Sequence, residues 1–329
     1  MRRFLVRTIA AIVSFVSIVV LLAVAVPPDE NGYLWVYNRK LALLDTVPPP
    51  RIILVGGSNL AFGIDSHRIQ DSLHCRMVNM GLHGGIGIRL ALEDVEARLH
   101  EGDLVVVAME YGNFFGGGNG EPETLPALMA ATGWRDMGRL NARQWQNVVA
   151  GIPRLAAANA KRLLRAALGG GLDTPSSSVS YRYVAAGFND LGDEVSHWTL
   201  PPGSVEPSRP FTPRGIDADF MHWLETALHA CRQRGATVVM LPPICPRQHF
   251  GCTYAPAIAQ SLDSIGYPFA ASPLALTVPD SCAYNGGYHV SRQGVDIATA
   301  RIIALLRNRS SREAANREAT PLPQLHEQP

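Results

Sequence analysis

A serine stands in Gly56-Gly57-Ser58-Asn59 and a histidine in Asn285-Gly286-Gly287-Tyr288-His289, with most of the chain between them. A serine hydroxyl is a poor nucleophile until a base takes its proton, and a neutral imidazole does so near pH 7. Ser58 as nucleophile and His289 as base therefore point to acyl chemistry through a covalent acyl-serine. The tetrahedral intermediate of that chemistry needs hydrogen-bond donors, each contributing about 3 kcal/mol of transition-state stabilisation. The candidates are the Ser58 N–H, the Gly81 N–H of Asn79-Met80-Gly81, and the side chain of Asn113 in Glu110-Tyr111-Gly112-Asn113. Each has a plainer reading. Gly-Gly-Ser after a strand is usually only a turn, His83 and His197 compete with His289, and a second Gly-Phe-Asn-Asp string at Gly187 to Asp190 follows no clear strand.

The elements that must position these residues are legible as short apolar runs bounded by turn signals. Arg51 to Val55, Arg76 to Met80, Leu104 to Met109 and Thr237 to Leu241 read as buried strands, and Tyr267 to Ala271 as a weaker fifth. Between them Ile88, Ala91, Val95 and Leu99 share a helical face, as do Val295, Ala298, Ile302 and Leu305, with Ser291 as N-cap. Alternating strands and helices imply an α/β fold, a three-layer α/β/α domain around a mostly parallel five-stranded sheet, with ligands at the strand C-termini. The domain is expected over 51–307, opening after Pro48-Pro49-Pro50 and interrupted at about 114–214 by a helical insertion with a long pattern from Asn141 to Leu168. Such an insertion forms a lid or partner surface, or is structural padding. The polar tail 308–329 reads as disordered.

Arg2, Arg3 and Arg7 precede an uncharged run from Thr8 to Pro27, long enough for a hydrocarbon layer of about 30 Å. Residues 1–30 therefore read as a single-pass transmembrane anchor. The arginines before the run, and Asp29 and Glu30 after it, put the N-terminus in the cytoplasm and the domain outside. A cleaved signal peptide ending at Ala23-Val24-Ala25 is the rival reading, and it exports the domain equally. Residues 31–50 form a juxtamembrane linker, in which Tyr33, Trp35 and Tyr37 suit either the membrane interface or ordinary packing. Of the five cysteines, Cys245 and Cys252 are either a disulfide or a pair of reduced thiols. Cys75, Cys231 and Cys282 read as packing residues. No C-x-x-C or H-E-x-x-H motif announces a metal, and no complete G-x-G-x-x-G announces a nucleotide, so no metal or cofactor is expected. A net charge of +1 argues against a nucleic-acid partner.

The blocks VGGSNLAFGIDS, VNMGLHGGIG, GDLVVVAMEYGNF, GFNDLGDEVSH and YHVSRQG, in this order, resemble the SGNH (GDSL-like) hydrolase superfamily, and within it a bacterial group of membrane-anchored cell-envelope proteins. The resemblance covers about Arg51 to Arg307. It implies a flavodoxin-like SGNH fold, a bacterial inner-membrane location with the catalytic domain in the periplasm, Ser58 as nucleophile, His289 as base, and Ser58, Gly81 and Asn113 as oxyanion donors. It further implies esterase or O-acyltransferase activity on acyl, foremost acetyl, esters of envelope glycans, with an acyl-exporting membrane protein as a partner. Two positions depart from the pattern. Where the superfamily carries an acid three residues before the histidine this chain has Gly286, and where related envelope proteins carry it four before, Asn285. Asn285 can orient an imidazole but cannot balance its charge, an exchange that costs a serine triad about four orders of magnitude in rate. The block around Asn113 also lacks the usual following Asp. A catalytically impaired envelope assembly or carbohydrate-binding protein is therefore the alternative.

Overall fold

The computed structural model describes residues 1–173, 183–203 and 215–319, with backbone alone at 250, 251 and 310–319. In chain order the elements are α1 (Arg2–Val24), α2 (Val36–Thr46), β1 (Arg51–Gly56), α3 (Ser58–Ala61), α4 (Ser66–Leu73), β2 (Arg76–Asn79), α5 (Ile88–Glu96) and β3 (Leu104–Ala108). There follow α6 (Leu125–Ala131), α7 (Ala142–Ala167), α8 (Ala218–Gln233), β4 (Thr237–Met240), β5 (Cys245–Pro246), α9 (Ala255–Ser264), β6 (Thr277–Val278) and α10 (Arg292–Ala319).

The main sheet is parallel and four-stranded, in the order β2-β1-β3-β4. Successive side chains of a strand point to opposite faces, and the core divides accordingly. Ile53, Val55, Val78, Val105 and Val107 pack with Tyr37 and Leu41 of α2, Leu92 and Val95 of α5, and Leu224 and Leu228 of α8. Ile52, Leu54, Met77 and Val106 pack with Ile69 of α4 and Val295, Ala298 and Ile302 of α10. Two helical layers thus enclose one sheet, and the continuous apolar runs of β1 and β3 follow from burial on both faces. The fifth strand expected at Tyr267 to Ala271 is reduced to a single parallel bridge between Met240 and Phe269. A separate two-stranded parallel pair, β5 with β6, lies beyond β4 in sequence.

Several boundaries differ from expectation. The segment 31–50 is no linker, because α2 places Val36, Tyr37, Leu41 and Leu44 in the core. Its aromatics are packing residues: the Tyr37 hydroxyl donates to Asp94 at 2.7 Å and the Tyr33 hydroxyl to the Leu82 carbonyl. The domain therefore begins before the prolines. The helix expected within the insertion is α7, started by a capping box in which Asn141 and Gln144 exchange hydrogen bonds. It packs on α6 and on α1, where Asn159 donates to the Leu22 carbonyl at 2.9 Å. Residues 174–182 and 204–214 of the insertion and 320–329 of the tail lie outside the described residues, but α10 runs on to Ala319, past the expected end of the domain. Ser291 sits where a cap would, yet its buried hydroxyl has no hydrogen-bond partner.

Among the described residues α1 is the one helix long and apolar enough to cross a membrane. Phe4, Ile9, Phe15 and Leu21 are exposed along it, as a lipid-facing helix requires.

Candidate active site

The paired register Gly56 to Ala108 aligns the ends of β1 and β3, so that the residues just beyond them meet at the C-terminal edge of the sheet. Two residues past β1 is Ser58, and two past β3 is Glu110. The Ser58 hydroxyl donates to Glu110 Oε1 at 2.8 Å, and the Asn59 N–H donates to the same oxygen at 3.3 Å. The Ser58 N–H also faces this carboxylate. Space for it comes from two glycines: a Cβ on Gly57 would lie 2.5 Å from Glu110 Oε1, and one on Gly84 only 2.0 Å from Oε2. Asn59 locks the turn, donating to the Ala108 carbonyl at 2.9 Å and accepting from the Gly57 N–H at 3.2 Å. Burial raises the Glu110 carboxyl above its ordinary range, while the hydrogen bonds from Ser58 and Asn59 and the nearby His249 pull it the other way.

His289 is held in one orientation. Its Nδ1 lies 2.6 Å from Asn285 Oδ1 and 3.4 Å from the Tyr183 hydroxyl, to which the Asn285 amide donates at 3.2 Å. Because that Oδ1 can only accept, the proton sits on Nδ1 and Nε2 is the basic nitrogen. The ring stacks on Phe62 with centroids 4.2 Å apart, and the Phe62 N–H bonds the Ser58 carbonyl. Burial, then the neighbouring His197 and His83, push the imidazole down to about 3. Among the described residues no hydrogen bond joins Ser58 to His289; the serine's partner is Glu110.

The expected oxyanion donors are engaged elsewhere. The Gly81 N–H donates to Asn79 Oδ1 at 2.9 Å, and the Asn79 amide in turn donates to the Leu60 carbonyl and to Asp193. Asn113 ties two loops, accepting from the Ile88 N–H at 3.2 Å and donating to the Glu110 carbonyl at 2.9 Å. Of the nominated donors, the Ser58 N–H alone faces the nucleophile's surroundings. The competing histidines are structural: buried His197 has both ring nitrogens on acceptors, Glu194 at 2.6 Å and the Val290 carbonyl at 3.0 Å, and His83 Nδ1 accepts from the Gly85 N–H. Asn189 likewise serves its own loop, accepting from the Leu191 and Asp193 N–H groups.

Four residues outside the sequence reading belong to this region. Glu110 is the first, and Asp193, which gathers Ser66, Asn79 and Asn189, is the second. Tyr288 accepts from the Tyr111 N–H at 3.0 Å and lies against the His249 ring, 4.3 Å away. His249 completes a cluster with Cys245 and Cys252, whose ligand atoms all lie within 4.8 Å of one another. The two cysteines stand as free thiols with their sulfurs 3.3 Å apart. Cys231 and Cys282 are buried in the core, and Cys75 is half-buried. The spacing Cys-x-x-x-His-x-x-Cys matches no common metal motif, and only the fold of the loop reveals it.

Comparison with protein-family models, with curated proteins and with solved structures finds no match.

Proposed function

We propose that this chain is a membrane-anchored serine acyl-transfer enzyme of the SGNH type, acting outside the cytoplasmic membrane on acyl, foremost acetyl, esters of envelope glycans. The observation that carries the reading is the Ser58 hydroxyl donating to the half-buried Glu110 carboxylate at the C-terminal edge of a parallel sheet. The strand order β2-β1-β3-β4, which is that of flavodoxin-like sheets, supports it further.

Glu110 is the immediate proton acceptor. Burial makes its carboxylate more basic than an exposed one, which is the direction a general base requires. Ser58 Oγ attacks the acyl carbonyl carbon, its proton passes to Glu110, and negative charge moves to the acyl oxygen. A neutral Glu110 attracts the Ser58 and Asn59 N–H groups less, which leaves these amides available to the new oxyanion as it forms. The ester C–O bond then breaks, the leaving alkoxide takes the proton from Glu110, and the acyl group stays on Ser58. Water completes hydrolysis and a glycan hydroxyl completes transfer. His289, oriented by Asn285 and kept neutral and only weakly basic by burial, is the second base and takes that acceptor's proton as its oxygen attacks.

A second reading, a non-catalytic assembly or carbohydrate-binding protein, is favoured by the engagement of Gly81 and Asn113, which leaves fewer donors for an oxyanion. The test is the full-length protein in detergent, treated with p-nitrophenyl acetate and a fluorophosphonate, beside Ser58→Ala. Ser58-dependent turnover or labelling is expected. Equal behaviour of the two proteins overturns the enzymatic reading.

A further inference from the structure

The loop from β5 into the turn at Phe250–Tyr254 carries two thiols and an imidazole that converge on one point. Cys245 and Cys252 have sulfurs 3.3 Å apart, and the Cys252 thiol also pairs with the His249 side chain. Tetrahedral zinc, with Zn–S near 2.3 Å and Zn–N near 2.0 Å, sets its donor atoms roughly 3.5–3.8 Å apart. The two sulfurs lie slightly inside that separation and all three donor atoms lie within 4.8 Å of one another, so small side-chain adjustments admit an ion.

The loop is held in shape before any ligand arrives. His249 N–H donates to the Pro246 carbonyl at 3.0 Å, Cys252 N–H to the His249 carbonyl at 2.9 Å, and Gln248 N–H to Asp280 Oδ1 at 2.9 Å. On the other side the Arg247 N–H bonds the Val278 carbonyl of β6. Tyr288 packs against the His249 ring, and Gly287 gives that ring room, since a Cβ there would lie 2.3 Å from it. A disulfide joining the two sulfurs would have no use for a third donor aimed at the same point. Soft thiolate with imidazole is the donor set that selects zinc among the common divalent ions.

We propose that Cys245, His249 and Cys252 form a zinc site with three protein ligands and a fourth position open to water. Binding releases the two thiol protons and changes no oxidation state, so no oxidant or reductant is required. Asp280 and Glu110 both act electrostatically on Cys245, a negative surround that favours a bound cation. The site stands independently of the acyl-transfer reading, because none of its three donors takes part in that chemistry.

The experiment uses the full-length protein purified in detergent under reducing conditions. Zinc is measured by elemental analysis, and Co²⁺ alone serves as the spectroscopic probe. One zinc per chain is expected, with a thiolate-to-cobalt charge-transfer band and intense visible bands of tetrahedral cobalt. Cys252→Ser and His249→Ala are each expected to lose these signals, while Cys75→Ser keeps them. Melting curves of the variants separate loss of ligand from loss of fold. Should either ligand variant prove unfolded, chelation of zinc from the unaltered protein, with recovery of two reactive thiols, is the independent measurement. Absence of metal with both thiols joined as a disulfide overturns the proposal, as does cobalt binding unchanged in a folded His249→Ala protein. Loss of Ser58 labelling would leave it untouched.

Discussion

Ser58 and Glu110, separated by fifty-one intervening residues, meet through a 2.8 Å hydrogen bond because β1 and β3 are adjacent strands in matched register. Glutamine at position 110 keeps the size and one acceptor but cannot take a proton. Glu110→Gln is therefore expected to lower Ser58-dependent phosphonate labelling and ester turnover by about 10²–10⁴-fold, the usual worth of a general base. Labelling that rises instead would mean that the carboxylate obstructs the serine, and the base assignment would be abandoned.

Asn285 accepts the Nδ1 proton of His289 at 2.6 Å. Asn285→Asp puts a negative charge at that point, which favours the imidazolium and raises the His289 pKa by about 1–3 units. NMR titration of the ring reads the shift. A faster deacylation of acetyl-Ser58 is expected alongside it, and an unchanged titration would show that the pair does not interact.

Much of this arrangement was legible in the residues. The β-branched runs gave β1 to β4, the Gly-Gly-Ser turn put Ser58 at a strand end, and the faces of α5 and α10 are buried as their spacing requires. Glu110 is not legible in this way, because an acid just after a strand looks like any turn residue. Its importance comes from register and from the space left by Gly57 and Gly84, which are tertiary facts. Gly81 and Asn113 looked free for the same reason: their partners Asn79, Ile88 and the Glu110 carbonyl are fixed only once the loops close. The expected fifth strand fails because its run makes one bridge and no ladder.

Asn79 is the clasp beneath the nucleophile. Its buried carboxamide accepts from Gly81 N–H and donates to the Leu60 carbonyl at 3.1 Å and to Asp193 at 2.8 Å. Asn79→Ala leaves the Gly81 N–H and the Leu60 carbonyl without this partner, each costing about 1–3 kcal/mol, while Asp193 keeps its bonds from Ser66 and Asn189. A fall in the urea midpoint of corresponding size is expected, together with weaker Ser58 labelling. A stable variant with full labelling would remove Asn79 from the support of the site.

His289 also sets how stability responds to acid. Its ordinary value is 6.5, the folded protein holds it at about 3, and burial is the first cause. Between those values the unfolded chain binds a proton there that the folded protein does not, so stability rises with pH across this window. The contribution is complete above pH 6.5 and is lost as the pH falls toward 3. The slope from this single group is at most about 1.4 kcal/mol per pH unit. Glu110 and Asp193 act with the opposite sign, since burial raises both acids and lets the folded protein bind protons that the unfolded chain has released. The group must therefore be isolated by substitution. His289→Gln removes the titration, and urea midpoints measured from pH 7 to pH 4 should fall less steeply in that variant than in the unaltered protein. Parallel curves would mean that His289 is as easily protonated in the folded protein as in the unfolded chain, and the neutral second base would lose its footing.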